Sequence, residues 1–532
     1  MRSYPLYIGG RDVEGAGWNY VLHMSASLSD PDRAFDLKRA LELGSEVHPT
    51  DDVVARCAWG GDRENALALE AASAAAAVYG ATPLETRKAI LRDFHVAIRD
   101  RADELVEVLV AEGHPRRLAE WELSGLLRCC DRETLDWYAQ QFESRYECDG
   151  RQLTQVRRPD GVVCINPPQN AGTASSGFAS LALLAGNAVV VKAPRSCPYG
   201  VMFMCRELIA PILEAHGAPP GTLNLISGDT RRILRQWMTS PHVDDVFFVG
   251  DSETGLRLGA ECVARGKKPI LELAGNDGFL VWRDADIEAA ASALTECFLG
   301  SGQICMIPKY AIVHPAIADE FVDAFLERVA EIRPGYPDDE DVVLSPVLKV
   351  DRFFDFLAEA RDAGCEVLAG GRRVDVDGDP SVTGAFVEPT VVRVDGMRDA
   401  RRLSCVREET FFPLIPIVVP QASEEPGLLD AAIRFVNENE YGLRNSVWAS
   451  DDYVLGELAR RIVNGGLLKI NDSHAAFTSY LATHGGTGKS GGPFGELNYF
   501  PLRTSHLQGI CWGTGRPDLI ASPFAAAVAA PA

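Results

Sequence analysis

A chain of 532 residues, 46% of them apolar, is long enough for two or three domains, each with its own core. Its formal net charge of −23 argues against nucleic-acid or anionic-membrane partners, whose phosphates call for clustered Lys and Arg. Thirteen scattered cysteines without a CxxC pair, and no signal-peptide pattern in MRSYPLYIGGRD, predict free thiols in a reducing, cytoplasmic compartment.

No apolar run reaches the roughly 20 residues of a membrane span, and the histidines show no metal-ligand spacing. Residues 64–80 and 83–112 carry Ala, Leu and Val at helical spacing beside charged faces, which predicts two long amphipathic helices. Near 150 the pattern changes. GVVCINPP reads as a strand entering a turn, ASSGFASLALLAGN as a helix closing at Gly186–Asn187, and AVVVKAP as a buried strand. RELIAPILEAHG is the next helix, and TLNLIS and DDVFFVG are further strands. After about 275, FLVWRD, YAIVHP, EVLAGG and LIPIVVP read as strands, with helices over 286–298, 316–332, 351–363 and 428–438. This alternation predicts an α/β protein with two parallel-sheet units in series, joined near Leu271–Asn276. PLRTSHLQGICWG, 501–513, alternates like an edge strand, and ASPFAAAVAAPA reads as a tail.

Four segments carry chemistry. GSGQIC ends at Cys305, after a helix and in a Gly-rich turn where its backbone N–H is free to meet a ligand. LELAGND sets Glu272 between two leucines, where an ionised carboxylate is costly and its pKa should rise. FFVGDSETG runs from a strand through Gly250 and Gly255 into a helix, which suits a phosphate-proximal turn. NPPQNAG offers Asn170 as an amide donor to an oxyanion, or as an ordinary turn residue. Two look-alikes are set aside. GTGKS, 486–490, ends like a P-loop, but Thr483 stands where that loop needs its first glycine. His474 in DSHAA cannot form a triad with adjacent residues and is expected near the pocket mouth or in solvent.

In order along the chain, NPPQN, AGNAVVVKAP, FVGDSETG, LELAGND, GSGQIC, GAFVEPT, EETFFP, EYGL and GGTGKSG make residues 60–510 resemble the aldehyde dehydrogenase superfamily. The resemblance implies a dinucleotide-binding domain over 1–140 and 163–271 and a catalytic domain over 272–480. It also implies oligomerisation strands over 141–162 and 497–515, leaving a flexible tail at 516–532. It makes Cys305 the nucleophile, Glu272 the general base and Asn170 the oxyanion amide. Lys192 falls at the adenosine ribose, Gly250 and Gly255 at the phosphate turn, and Glu409 and Phe411 at the nicotinamide ribose and ring. The implied reaction oxidises an aldehyde to a carboxylic acid through a thiohemiacetal and a thioester on Cys305. The implied cofactor is NADP or NAD, and the implied assembly a homodimer or homotetramer.

The sequence departs from the family pattern at four places. Asp251 replaces a serine at the pyrophosphate turn, Arg195 a glutamate at the ribose, Phe412 a glycine near the nicotinamide, and PPQN a turn that is usually aromatic. Arg195 beside Lys192 favours NADP, since arginine donates to phosphate and cannot accept from a hydroxyl. The substrate pocket is expected to draw on Cys130 and the helix after it, and on Phe178, Phe298, Leu299, Phe477 and Tyr480. A CoA-acylating enzyme or one acting on a CoA-linked semialdehyde, suggested by RTSHLQG, is an alternative. So is an inactive binding or scaffold protein on the same fold.

Overall fold

The computed structural model describes residues 1–45, 47–148, 150–421 and 427–513, and further on 524, 527 and 528. The tail predicted at 516–532 lies almost wholly outside the described residues.

Two seven-stranded sheets organise the chain. In the first, Lys268–Glu272, Asp245–Val249, Val162–Asn166, Ala188–Ala193 and Leu223–Ser227 run parallel in that spatial order. Val162–Asn166, Ala188–Ala193 and Leu223–Ser227 are buried along their whole length, as mainly apolar strands at the centre of a parallel sheet are. The sequence reading stopped short of this sheet's far edge. Leu6–Ile8 and Arg11–Val13 extend it as an antiparallel hairpin, turned by Gly9 and Gly10 at φ +59° and +79°, a conformation glycine adopts freely. The Ala-rich helix Asp62–Tyr79 packs on the sheet through Ala68, Leu69, Ala72, Ala75 and Tyr79, one face at helical spacing.

The single helix expected over 83–112 is two, Leu84–Asp100 and Ala102–Ala111. The break falls at Arg101, whose guanidinium bonds Glu104 at 2.6 Å and lies 4.7 Å from the Phe203 ring centre. The helix predicted to close at Gly186 also breaks, into Gly172–Ala179 and Ala182–Ala185; Gly186 ends the second in the left-handed conformation.

The second sheet orders Glu366–Ala369, Thr390–Asp395, Leu414–Val419, Pro308–Val313, Asp277–Val281, Arg444–Trp448 and Leu467–Ile470, parallel except for its first strand. The first sheet's last strand ends at Glu272 and the second sheet begins at Asp277, so the join is a short crossing at residues 273–276. A third, antiparallel sheet of Ser505–Trp512, Arg151–Pro159 and Glu143–Cys148 exposes Tyr146, Leu507 and Trp512. Among the described residues no helix is long and apolar enough to cross a membrane.

Candidate active site

A cleft of about 820 Å³ opens at the carboxyl ends of the first sheet's strands and reaches the second sheet. Cys305, Asn170, Lys192, Arg195, Gly250, Glu409, Phe411, Phe178 and Phe477 all line it.

Cys305 arrives there through a sharply folded loop. Helix Ile287–Leu294 runs into a tighter turn in which Gly300, Ser301 and Gly302 take φ of +57°, +57° and +72°. A Cβ at 302 would come within 2.4 Å of the Phe412 carbonyl, and one at 275 within 2.0 Å of the Cys305 carbonyl, so both glycines permit close backbone approach. Ser301, strained in the left-handed region, is held by its Oγ donating to the Ser345 carbonyl. Lys309 reaches under the loop and donates to the carbonyls of Gly302 (2.7 Å) and Thr410 (3.0 Å), tying the cysteine loop to the 409–411 segment. Glu409 accepts from Gly275 N at 2.9 Å. Burial, then the nearby carboxylates of Glu409, Glu272 and Asp277, push the Cys305 thiol up to about 12, against a pull from Lys309.

The Asn170 amide donates one N–H to the Gln303 carbonyl at 2.8 Å, which fixes it against the cysteine loop and leaves its second N–H available. Glu272 is buried at the end of its strand and does not itself line the cleft. Burial pushes its carboxyl up to about 8, opposed by Asn498 and Arg444, and its Oε1 has no hydrogen-bond partner among the described residues.

At the other end, Lys192 is buried without an ion-pair partner among the described residues, and burial lowers its amine to about 8. Arg195, Arg231, Arg235 and Arg257 line the same end, none in an ion pair among the described residues; Asp251 and Glu261 share the rim. Asp251 resolves one departure from the pattern. Its carboxylate accepts from Thr254 N at 2.8 Å and caps helix Ser252–Ala264, so it turns back onto its own helix. Gly255 lets that helix close onto the sheet, since a Cβ there would meet Leu273 at 2.1 Å. Phe412 is likewise turned away: it is buried edge-on against Phe353 and Phe356, with centres 5.6 and 5.4 Å apart, and does not crowd the cleft.

Four pocket expectations are corrected. Cys130 is buried in the first core and Phe298 in the second, stacked on Phe325 at 6.2 Å. Leu299 does not itself line the cleft but packs against the small cluster behind its wall, with Cys305, Trp121 and Phe477. Tyr480 is exposed at φ +68°, its hydroxyl donating to Glu133. The wall comes instead from the preceding helix, Arg116–Cys129, which supplies Trp121 and Glu122. Trp121, Phe477 and Phe178 follow one another along it, with ring centres 4.9 and 6.0 Å apart. His474, expected near the mouth or in solvent, is fully buried between Ser446 Oγ (2.5 Å) and Asp277 Oδ2 (3.2 Å) and braces the second sheet. The sequence reading passed over Lys309, Trp121, Glu122, the arginines at 231, 235 and 257, and His484, whose ring lines the cleft. A lysine inside the apolar strand PKYAIV was a signal, since a buried amine must be satisfied.

Residues 41–499 match the aldehyde dehydrogenase family. A succinate semialdehyde dehydrogenase of Escherichia coli K12 is 29% identical over 463 residues, 84% of this chain and 92% of that protein. A vanillin dehydrogenase of Corynebacterium glutamicum is 31% identical over 440 residues, 81% of this chain and 86% of that protein. Among solved structures, a betaine aldehyde dehydrogenase from Staphylococcus aureus is similar in fold, with a TM-score of 0.80 at 22% identity, covering 97% of this chain and 96% of that one. The chain belongs to the aldehyde dehydrogenase family. It is an enzyme, an NAD(P)-dependent aldehyde dehydrogenase.

Proposed function

We propose that the chain oxidises an aldehyde to a carboxylic acid through a thioester on Cys305, with water as the acyl acceptor. The observation that carries this is the convergence of Cys305, Asn170 and Glu409 on one cleft whose far end holds a buried lysine with no ion-pair partner among the described residues. The Cys305 sulfur adds to the aldehyde carbon. The oxygen that becomes negative is met by the free N–H of Asn170 and the backbone N–H of Cys305; a donor of this kind is worth ~3 kcal/mol. Glu272, held partly protonated by burial, serves hydrolysis of the thioester as a base of suitable strength.

The residues fit a nicotinamide dinucleotide. Lys192 and Arg195 would hold the adenosine ribose, the Gly250 turn would face the phosphates, and Glu409 and Phe411 would hold the nicotinamide ribose and ring. When bound, the cofactor supplies the hydride acceptor. Glu272 favours water over CoA as the acyl acceptor, and the intact Cys305, Glu272 and Asn170 weigh against an inactive scaffold. The test is reduced-nicotinamide absorbance with a panel of apolar, aromatic and semialdehyde substrates. Cofactor reduction with stoichiometric release of free acid is expected, and its absence across the panel would overturn the reading.

NADP is the favoured cofactor. Arg195 stands with Arg231 and Arg235 at the ribose end, and a charge-assisted contact to a 2′-phosphate is worth ~1.5–3 kcal/mol, a preference of roughly tenfold or more. Arg195→Glu should move the ratio of kcat/KM for NADP over NAD down by at least that factor. A parent that strongly prefers NAD, unmoved by the substitution, would count against it.

The assembly follows from the third sheet, whose exposed strands present unpaired edges that a second copy would cover. Light scattering at micromolar concentration should read a dimer or tetramer mass, and a monomer would contradict the expectation.

A further inference from the structure

We propose that His484 is the group that takes the proton from the hydrolytic water and passes it to Glu272, so that thioester hydrolysis in this chain is the work of a histidine–carboxylate pair. The inference rests on the reading of Cys305 as the acylated nucleophile.

The geometry carries it. Glu272 is set back from the cleft, whereas His484 lines it, on the same wall as Phe178 and Phe477. His484 Nδ1 lies 2.8 Å from Thr483 Oγ1 and 3.9 Å from Glu272 Oε2, so that nitrogen is turned towards the hydroxyl and the carboxyl. Nε2, on the opposite side of the ring, is left for a ligand in the cleft. The ring is confined by Phe178, 6.0 Å away between centres. The loop that bears it is anchored by the buried guanidinium of Arg444, which donates to the carbonyls of His474 and Thr483. Glu272 Oε1 has no hydrogen-bond partner among the described residues, so the carboxyl keeps an oxygen uncommitted beside the imidazole.

Charge agrees with geometry. Burial, and then Arg444, lower the imidazole to about 3, so it is neutral across the working range and too weak a base to keep the proton; it acts only as a relay that passes the proton on to Glu272, in the tautomer that carries its own proton on Nδ1. A buried carboxylate that receives a proton from a neutral imidazole is relieved of its desolvation cost. The charged and titratable groups felt around the pair are Arg444, Cys305 and Cys129.

The step balances. Water gives one proton to Nε2 as its oxygen bonds the thioester carbon, and Nδ1–H passes to the Glu272 carboxylate. The tetrahedral centre then collapses and the C–S bond breaks. Cys305 leaves as thiolate and the product acid releases its proton to solvent; Nε2–H is then lost to solvent through the cleft as Glu272 returns its proton to Nδ1, which restores the starting tautomer and the carboxylate. Nothing is oxidised or reduced.

The test uses 4-nitrophenyl acetate, an activated ester that acylates the nucleophile without aldehyde or cofactor. The full-length parent should release one equivalent of nitrophenolate in a burst and then turn over slowly. General bases contribute ~10²–10⁴-fold, so both His484→Phe, which keeps the aromatic contact with Phe178, and His484→Gln, which keeps a polar side chain without a basic nitrogen, should retain the burst while the steady rate drops at least tenfold. Intact mass should find acetyl on Cys305, and the rise of the steady rate with pH seen in the parent should flatten. Steady rates and pH profiles equal to the parent's would overturn the relay alone. A parent without a burst would overturn the assignment of Cys305 and the relay with it.

Discussion

Cys305→Ala is expected to abolish aldehyde oxidation while leaving the fold and dinucleotide binding intact. The side chain packs beside Ile304 and Met306 in a small cluster, and its loop is held by backbone contacts that an alanine keeps: the Lys309 clamp, the left-handed turn at 300–302 and the Gly275 approach. What is lost is the one cysteine that lines the cleft among the described residues, and removing a nucleophile costs orders of magnitude in rate. Residual activity above roughly a tenth, about 1.4 kcal/mol, would show that the nucleophile lies elsewhere. The raised thiol adds a second readout. A thiol held near 12 is almost wholly protonated at neutral pH, and its thiolate fraction rises with each unit of pH below that value. Alkylation of Cys305 in the cofactor-free protein should therefore be slow and should speed up about tenfold per pH unit through the neutral range. Fast alkylation independent of pH would contradict the buried-thiol electrostatics.

Glu272→Gln should stop the enzyme after the cofactor is reduced. Mixed with aldehyde and cofactor, the variant should give a single burst of reduced nicotinamide, and intact mass should find an acyl group on Cys305. The parent provides the matching pH signature. Its carboxyl is raised to about 8, hence mostly protonated below that pH and ionised above it, so thioester hydrolysis should climb as pH rises through 8 and then level. The glutamine variant should lose this rise. Turnover at the parental rate with no adduct would remove Glu272 from the hydrolytic step.

Both sheets were legible because buried parallel strands leave long apolar runs, as in AVVVKA and LIPIVV, separated by amphipathic helices. The Cys305 loop and the Gly250 turn were legible for a different reason: a Cβ would meet the Phe412 carbonyl at Gly302 and the Phe248 and Leu273 side chains at Gly250 and Gly255, all below 3 Å, so the glycines of GSGQIC and VGDSETG record close contacts. What escaped was tertiary. The hairpin at Leu6–Val13 has strands of only three residues, too short for a period to register. Phe298 and Tyr480 are aromatic and near the motifs, yet Phe298 is taken into a core against Phe325, and Tyr480, at a left-handed residue, is exposed with its hydroxyl on Glu133. The positions of Trp121 and His484 depend on how Arg116–Cys129 and the 474–484 loop meet across the molecule, which no local pattern encodes. Asp251 and Phe412 looked obstructive in one dimension and are harmless in three, one spent on its own helix and the other absorbed into a core.

The strip mistaken for a P-loop ending has a consequence for engineering. Ser490 donates to the Ala274 carbonyl and accepts from Gly442 N, its own carbonyl accepts from Leu273 N, and Ser252 Oγ donates to the Lys489 carbonyl, all within a few residues of His484. The late strip thus laces together three stretches of chain that lie far apart in sequence. The half built on the first sheet is therefore not an interchangeable cassette. A chimaera that imports it from a relative must import residues 484–490 as well, or it will unlace the crossing that follows Glu272.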